Sequence, residues 1–525
     1  MTRGSRRGTA TPTALSDAPR GRPNTALHVT GIALSFVAVG MAVTAVVEAT
    51  STNVDTGALV ISTVVCGSLG ALLWFTTRVG DVRARDVFAA VGWAWVSVAV
   101  VGSLPFILAG TFVSPDADLA DRIVNSLFES TSGFTATGST VLDDFSGHGR
   151  GLMLYRQAMQ WYGGMGIVVL AVTVLPFLGV GGLDLMTAEA PGPSSERLAP
   201  RVSETARQLW IIYVVFTLVV MAALFVVPGP SLYDSVAHGL TTASTGGFSP
   251  YASSIGHFDS LAVEIVIIVA MIYGGVNFSL HWRAARGEIS AYTKDSETRT
   301  FFTILSVAIA IVVVITTLDT ADQVDGIAEA LRAVVFTVVA LGTSTGFTNA
   351  TEPGAAADYV HWASGAQIVI LFLFVMGGST GSTTGGIKVM RVQVLFSHTI
   401  RSIRRTQQPR AVLPVKHGRF AVAEDIVSRM AGFFLLYVLL VGVGAVILTV
   451  LGSDLENSVG AVISTLGNMG PALGDAGPTG NFDGAFSAPA RLVLAVFMLI
   501  GRLEIFPILL MFAAPYRAAR DVVRR

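Results

Sequence analysis

Four short runs in this chain carry its most informative chemistry. They are Thr135-Ala136-Thr137-Gly138, Ala243-Ser244-Thr245-Gly246, Thr343-Ser344-Thr345-Gly346 and Gly467-Asn468-Met469-Gly470. Their closing glycines lie 108, 100 and 124 residues apart. These runs offer backbone carbonyls and hydroxyls, the oxygens that replace the hydration shell of a cation such as K⁺. Glycine at the closing position permits a positive φ and lets a carbonyl face a path with no side chain intruding. Ordinary turns account for one or two such runs. Four at matched positions need a common cause.

Elements able to hold these runs follow from composition. The 525 residues are 52% hydrophobic and 13% charged, with 55 Gly and 20 Pro and a mean hydropathy of +0.65. That is about half the charge of a soluble chain, which excludes a soluble multidomain enzyme and points to a polytopic membrane protein. The lone Cys66 cannot make an internal disulfide and is expected to pack as a small apolar residue. Ten stretches are long and apolar enough to cross a bilayer: 26–50, 57–77, 86–110, 154–181, 208–228, 260–282, 301–318, 363–394, 425–451 and 492–515.

Each polar run follows a modestly apolar segment too short to cross, such as 123–128 or 333–341, and precedes a span. The predicted fold is therefore all-α: four helix–half-helix–helix repeats around a pseudo-fourfold pore, plus two extra N-terminal spans. The expected organisation is a disordered basic cytoplasmic tail (1–25), two spans (26–80), and repeats over 81–185, 186–300, 301–420 and 421–525. Irregular backbone survives at membrane depth only when buried in protein or lining water. Four half-helices would aim their partly negative C-termini at one axis.

Alternating the spans from an inside start gathers 28 of the 34 Lys+Arg on one side, including Arg78, Arg83, Arg85 and the cluster from Lys388 to Arg429. This asymmetry places both termini in the cytoplasm. Acidic outer loops, with Asp143, Asp144 and Glu352 among them, would concentrate cations at the mouth. Glu129, just before the first run, is a candidate cation ligand or a half-helix hydrogen-bond partner.

The tract Gly377-Gly378-Ser379-Thr380-Gly381-Ser382-Thr383-Thr384-Gly385-Gly386 has little helix propensity and many hydroxyls. The apolar run before it is too short to span. The tract is therefore expected inside the membrane, breaking the second helix of repeat three, where transport sites commonly lie. Arg502 falls near the middle of the last span and is expected to face the pore, because a charge there is costly unless it meets water or a partner. Glu504, two residues on, points away and pairs elsewhere. Lys388 is expected to anchor at the membrane surface. Asn277 and His281 are expected to cap a helix and contact headgroups.

With these residues the chain resembles the TrkH/KtrB superfamily of potassium-transporter subunits, most closely its TrkH/TrkG branch. The resemblance runs from about residue 26 to the end. It rests on Gln160-Trp161 with Gly163-Gly164-Met165-Gly166, Ser244-Thr245-Gly246-Gly247-Phe248-Ser249, Gly274-Gly275-Val276-Asn277-Phe278, the tract ending Gly386-Ile387-Lys388, Gly467-Asn468-Met469-Gly470-Pro471, and Gly501-Arg502-Leu503-Glu504. It implies potassium uptake across a bacterial inner membrane by a non-enzymatic pore subunit. The four runs would be the K⁺ filter, with glycine in all four going with K⁺ preference. The tract 377–386 would be a gating intramembrane loop, and Arg502 a barrier below the filter. The fourth run departs from the pattern at Asn468 and Met469, which questions equal coordination by all four.

The family further implies a homodimer in membrane lipid, gated by a separate cytosolic nucleotide-binding subunit of TrkA type. Arg401, Arg404, Arg405 and Arg410 could dock such a partner or anionic headgroups. No cofactor is implied and no nucleic acid. Two other classes fit less well. A secondary carrier would show two inverted halves, and a membrane enzyme would want paired intramembrane histidines or a carboxylate relay.

Overall fold

The computed structural model describes residues 22–79, 84–113, 118–173, 198–319, 327–418 and 420–504. The basic tail up to residue 21, the segment 174–197 and the end of the last predicted span lie outside the described residues. Helices α1 (Thr25–Ser51) and α2 (Thr56–Thr76) form the N-terminal hairpin. The chain continues through α3 (Ala84–Gly102), α4 (Leu104–Ala109), α5 (Leu119–Phe134) and α6 (Arg150–Thr173). Next come α7 (Leu198–Val226), α8 (Leu232–Ala243), α9 (Leu261–Gly275), α10 (Phe278–Ala285) and α11 (Ser290–Lys294). Helices α12 (Ser296–Asp319), α13 (Ile327–Gly342), α14 (Ser364–Val375) and α15 (Val389–Gln407) follow. The last are α16 (Glu424–Val450), α17 (Leu455–Gly467), α18 (Phe482–Ala485) and α19 (Ala488–Arg502).

Six helices among the described residues are long and apolar enough to cross a membrane: Thr25–Ser51, Thr56–Thr76, Ala90–Ala109, Glu204–Val226, Ser296–Leu318 and Glu424–Val450. Of the ten expected stretches, one is bent where no break was expected and another is interrupted where the Gly/Ser/Thr tract was expected to break it. The predicted span 260–282 bends by 103° between α9 and α10. The predicted span 363–394 is interrupted between α14 and α15. The break falls at Gly377 to Gly386, where the sequence tract has the least helix propensity.

Short helices α5, α8, α13 and α17 lie between the long ones. Asp118 caps α5 by accepting from Asp121 N at 2.7 Å, and Asp454 caps α17 through Asn457 N at 2.8 Å. Ser231 and Asp234 form a reciprocal capping box on α8. Each short helix packs against its flanking helices and also against one helix further away along the chain: α8 on α6, α13 on α9, α17 on α14, and α5 on α19. The last of these closes the ring.

Apolar side chains fill separate cores around this ring, such as Phe128, Tyr155 and Leu494 in one and Tyr213, Met271 and Phe336 in another. The centre is polar, with Thr137, Thr245, Thr345 and Asn468 all buried. The N-terminal hairpin is tied to α6 by Glu48. Its carboxylate accepts from Val54 N (2.9 Å), Gly151 N (2.6 Å) and the Thr52 hydroxyl (2.7 Å).

Candidate ion-conduction site

All four short helices end in the same way. Residues Ala136, Thr245, Ser344 and Asn468 take a left-handed conformation with φ between 49° and 51°. Each donates its N–H three residues back, and the next residue donates five back. In the first loop Ala136 N bonds Gly133 O and Thr137 N bonds Ser132 O, both at 2.9 Å. This is the Schellman pattern, which satisfies the orphan carbonyls of a helix end. It leaves the following residues free to line a centre. Asparagine accepts this conformation readily. Ala136, Ser344 and the β-branched Thr245 hold it against a cost of about 1–2 kcal/mol each.

Two residues after each left-handed position stands a glycine with positive φ: Gly138 (92°), Gly247 (82°), Gly346 (75°) and Gly470 (108°). A Cβ on Gly138 would strike the carbonyl oxygen of Gly246, and one on Gly247 that of Thr345. On Gly346 it would strike that of Met469, and on Gly470 it would come 3.1 Å from Thr137 O. Each glycine thus faces the carbonyl of the next loop, and the fourth returns to the first. The second run expected from the sequence closes at Gly246. The structure sets that loop one residue later, because Ala243 is still helical and the left-handed turn falls on Thr245. Ser244-Thr245-Gly246-Gly247 is the equivalent segment, and the Gly-Gly pair hid the register.

Side chains lock the ring. Gln160 donates to Gly246 O at 2.6 Å and accepts from Phe248 N at 2.9 Å. Ser139 donates to Gly470 O at 2.6 Å. Asn468 donates to Thr137 Oγ1 and to Met498 O, both at 2.9 Å, joining the fourth loop to the first. Glu129 lies in the scaffold: fully buried, it pairs with Arg156 at 2.6 Å and accepts from Val141 N at 3.0 Å. Arg156 in turn donates to Ser249 O at 3.0 Å and lies 4.3 Å over the Phe248 ring. A second pair, Arg332 with Glu264 at 2.9 Å, braces α13 against α9. Arg156 and Arg332 are not apparent as pairs in the sequence, because their partners lie 27 and 68 residues away.

Above the ring, a small pocket lined by Gly138, Gly247, Gly346 and Pro471 adjoins an outer cavity of about 540 Å³ walled by Phe145, Tyr251, Glu352 and Thr479. Beside this mouth Asp144 is held below the usual carboxylate range by the Ser146 hydroxyl and the Gly147 and Ser146 N–H groups. It therefore stays ionised into mildly acidic water.

Below the ring lies the segment 376–388. Its neck is a short ladder, Gly377 N to Ile387 O at 3.0 Å and Ile387 N to Val375 O at 2.9 Å. Its tip meets three of the four loops. Thr383 Oγ1 accepts from the Thr245 hydroxyl at 3.2 Å, Gly385 N donates to Ser344 Oγ at 2.7 Å, and Gly385 packs on Gly467 and Asn468. Arg502, 1% exposed, joins this tip to the remaining side. It donates to Thr383 O and to Gly163 O in α6, each at 3.1 Å.

Among known proteins, residues 56–519 match the TrkH family, described as "Cation transport protein". The chain belongs to the TrkH family. It is 35% identical over 454 residues to the Trk system potassium uptake protein TrkH of Escherichia coli K12, covering 86% of this chain and 90% of that one. It is 32% identical to TrkG of the same organism, covering 85% and 88%. The crystal structure of the potassium transporter TrkH from Vibrio parahaemolyticus superposes with a TM-score of 0.82 at 31% identity, over 93% of this chain and 98% of that one. As a member of the TrkH family the chain is a polytopic membrane transport protein, not an enzyme.

Within this TrkH-family site some expected residues behave differently. Lys388 does not reach outward: it is buried, and its ammonium turns back on Thr384 O, on the Thr384 hydroxyl at 3.0 Å and on Gly385 O at 3.5 Å. His281 meets protein, bonding Tyr292 OH at 2.7 Å and Tyr273 O at 2.9 Å while stacking on the Tyr273 ring. Asn277 caps α10 through Ser279 N at 2.8 Å. Glu504 pairs with Arg391, whose guanidinium lies 4.2 Å over Phe433. Thr135 and Thr343 sit behind the ring, bonding the hydroxyls of Thr137 (2.6 Å) and Thr345 (2.8 Å). Cys66 is a buried packing residue.

Proposed function

We propose that this chain is the ion-translocating subunit of a Trk-type potassium-uptake system. The closed ring of four glycines, each against the next loop's carbonyl, carries the reading. Carbonyls around this ring replace the hydration shell of K⁺, and the rigid Schellman ends hold them at a fixed radius. The filter spans Thr135 to Gly138, Ser244 to Gly247, Thr343 to Gly346 and Gly467 to Gly470. Four pore repeats follow the two N-terminal spans. The loop from Gly377 to Gly386 is the gate, and Arg502, cationic and central, is the barrier beneath the filter. The protein works as a homodimer in a bacterial inner membrane with both termini cytoplasmic. A separate nucleotide-binding subunit of TrkA type controls it from the cytosol, docking on the basic stretch around Arg404, Arg405 and Arg410.

The test is ⁸⁶Rb⁺ uptake into liposomes holding the purified protein, with and without a cytosolic partner, against K⁺, Na⁺ and Li⁺ as competitors. Uptake suppressed by K⁺ and not by Na⁺ or Li⁺ is expected. Equal competition by K⁺ and Na⁺, or no uptake under any condition, overturns the reading.

A further inference from the structure

Glu297 lies in the first turn of α12, where an acidic residue is commonplace because it complements the helix dipole. That role needs only an exposed side chain near the helix end. Glu297 is 5% exposed, and its Oε1 accepts three donors from far along the chain: Thr380 N at 2.7 Å, the Thr380 hydroxyl at 3.1 Å and Met390 N at 2.9 Å. Thr380 stands on the limb of the intramembrane loop that leaves α14. Met390 stands in the first turn of α15, which leaves the loop on the other side. The tip between them carries Thr383 and Gly385, the residues that touch the second and third loops and Arg502.

We propose that Glu297 is a positioning residue for the gate: its carboxylate pins both limbs of the intramembrane loop to α12 and so keeps the tip seated under the filter. The inference deepens the pore reading and rests on it. The loop's composition makes such a pin necessary. Ten consecutive Gly, Ser and Thr residues supply little apolar side chain to bury, so the segment depends heavily on hydrogen bonds to hold its place. A carboxylate can serve three donors on one oxygen, and its charge makes each bond about twice as strong as a neutral one. The shared acceptor also links the gate to α15. That helix runs on to Arg401, Arg404 and Arg405, so a displacement of its distal end acts on the same oxygen that holds Thr380.

The experiment compares Glu297→Leu, Glu297→Gln and Thr380→Val in the full chain, reading amide hydrogen exchange across 376–390 and ⁸⁶Rb⁺ flux without a cytosolic partner. Glu297→Leu keeps the bulk and removes the acceptor. It should speed exchange and raise flux at least about tenfold, the change that losing even one of the three charged hydrogen bonds implies. Glu297→Gln keeps an accepting oxygen but loses the charge, and should fall between wild type and Glu297→Leu in both readouts. Thr380→Val removes one donor without touching the carboxylate and should accelerate exchange by a smaller factor. Wild-type exchange in Glu297→Leu overturns the proposal, as does a Gln variant that behaves like Leu. Exchange reports on the pin even if no protein conducts Rb⁺, so failure of the pore reading and failure of the pin are told apart.

Discussion

Replacing Gly138 by serine tests the ring most directly. Gly138 holds φ at 92°, where a side chain costs about 1–2 kcal/mol in backbone strain. Its new Cβ would also strike the Gly246 carbonyl oxygen, which belongs to backbone and cannot rotate aside. Relief requires one of the two loops to move by several tenths of an ångström. The Gly246 carbonyl is held by Gln160 at 2.6 Å, and the Gly138 loop by the Asn468 bond to Thr137 at 2.9 Å. Either movement changes the spacing of the carbonyl ring, where about 1.4 kcal/mol of differential K⁺ over Na⁺ binding is a tenfold change. We expect Gly138→Ser to reduce K⁺ over Na⁺ discrimination about tenfold, read as Na⁺ competition for ⁸⁶Rb⁺ uptake in liposomes. The register adds a second arm: Gly247→Ser should match it, since its Cβ meets the Thr345 carbonyl in the same way. Gly246→Ser should act differently, because there the contact is the Gln160 side chain. Wild-type discrimination in both Gly138→Ser and Gly247→Ser would refute the reasoning.

Arg502→Ala removes two charge-assisted hydrogen bonds to Thr383 O and Gly163 O and the only side chain bridging the loop tip to α6 among the described contacts. Flux should rise about tenfold, and Arg502→Lys should fall between, checked by the same uptake assay. Glu129→Gln leaves Arg156 without its carboxylate at 1% exposure, and should lower stability by about 3 kcal/mol, measured by thermal unfolding in detergent. Lys388→Met should loosen the loop by freeing Thr384 O and Gly385 O, seen as faster exchange across 380–388. Asp144→Asn should roughly double the K⁺ concentration for half-maximal flux at low ionic strength, with no effect at high salt. Because Asp144's carboxyl lies below the usual range, its charge is present at neutral pH and lost only as pH falls through that lowered value. Wild type and Asp144→Asn should therefore converge only under strongly acidic conditions.

What the sequence revealed divides along a physical line. Long apolar stretches announce themselves by composition, so α1, α2, α7, α12 and α16 were legible. The polar loops were legible because they repeat. Register in the second loop was not, since Thr245-Gly246-Gly247 offers two glycines and only the helix end at Ala243 chooses between them. The broken helices were half legible: the Gly/Ser/Thr tract betrayed one break, while the bend at Val276-Asn277 carried only a Gly-Gly pair. The inward turn of Lys388 was hidden altogether. A lysine near a predicted membrane edge looks like an anchor until the carbonyls of Thr384 and Gly385 are folded above it.

The deepest gap concerns buried charge. Glu129, Arg156, Glu264, Arg391 and Glu297 are all buried, where an uncompensated charge is expensive. Each is compensated by a residue that sequence distance conceals. Glu129, Arg156 and Glu297, with Arg502, follow one rule: charge stands behind irregular backbone. Glu129 and Arg156 hold the residues following the first two loops, Val141 N and Ser249 O. Glu297 holds the loop from Gly377 to Gly386, and Arg502 crosses beneath the ring. Backbone leaving a helix exposes N–H and C=O groups that hydrocarbon cannot satisfy. An ionised side chain, once committed to the interior, supplies the strongest partners for them. The ring thus needs interior charges to hold its loops, and the loops supply the partners that let those charges remain.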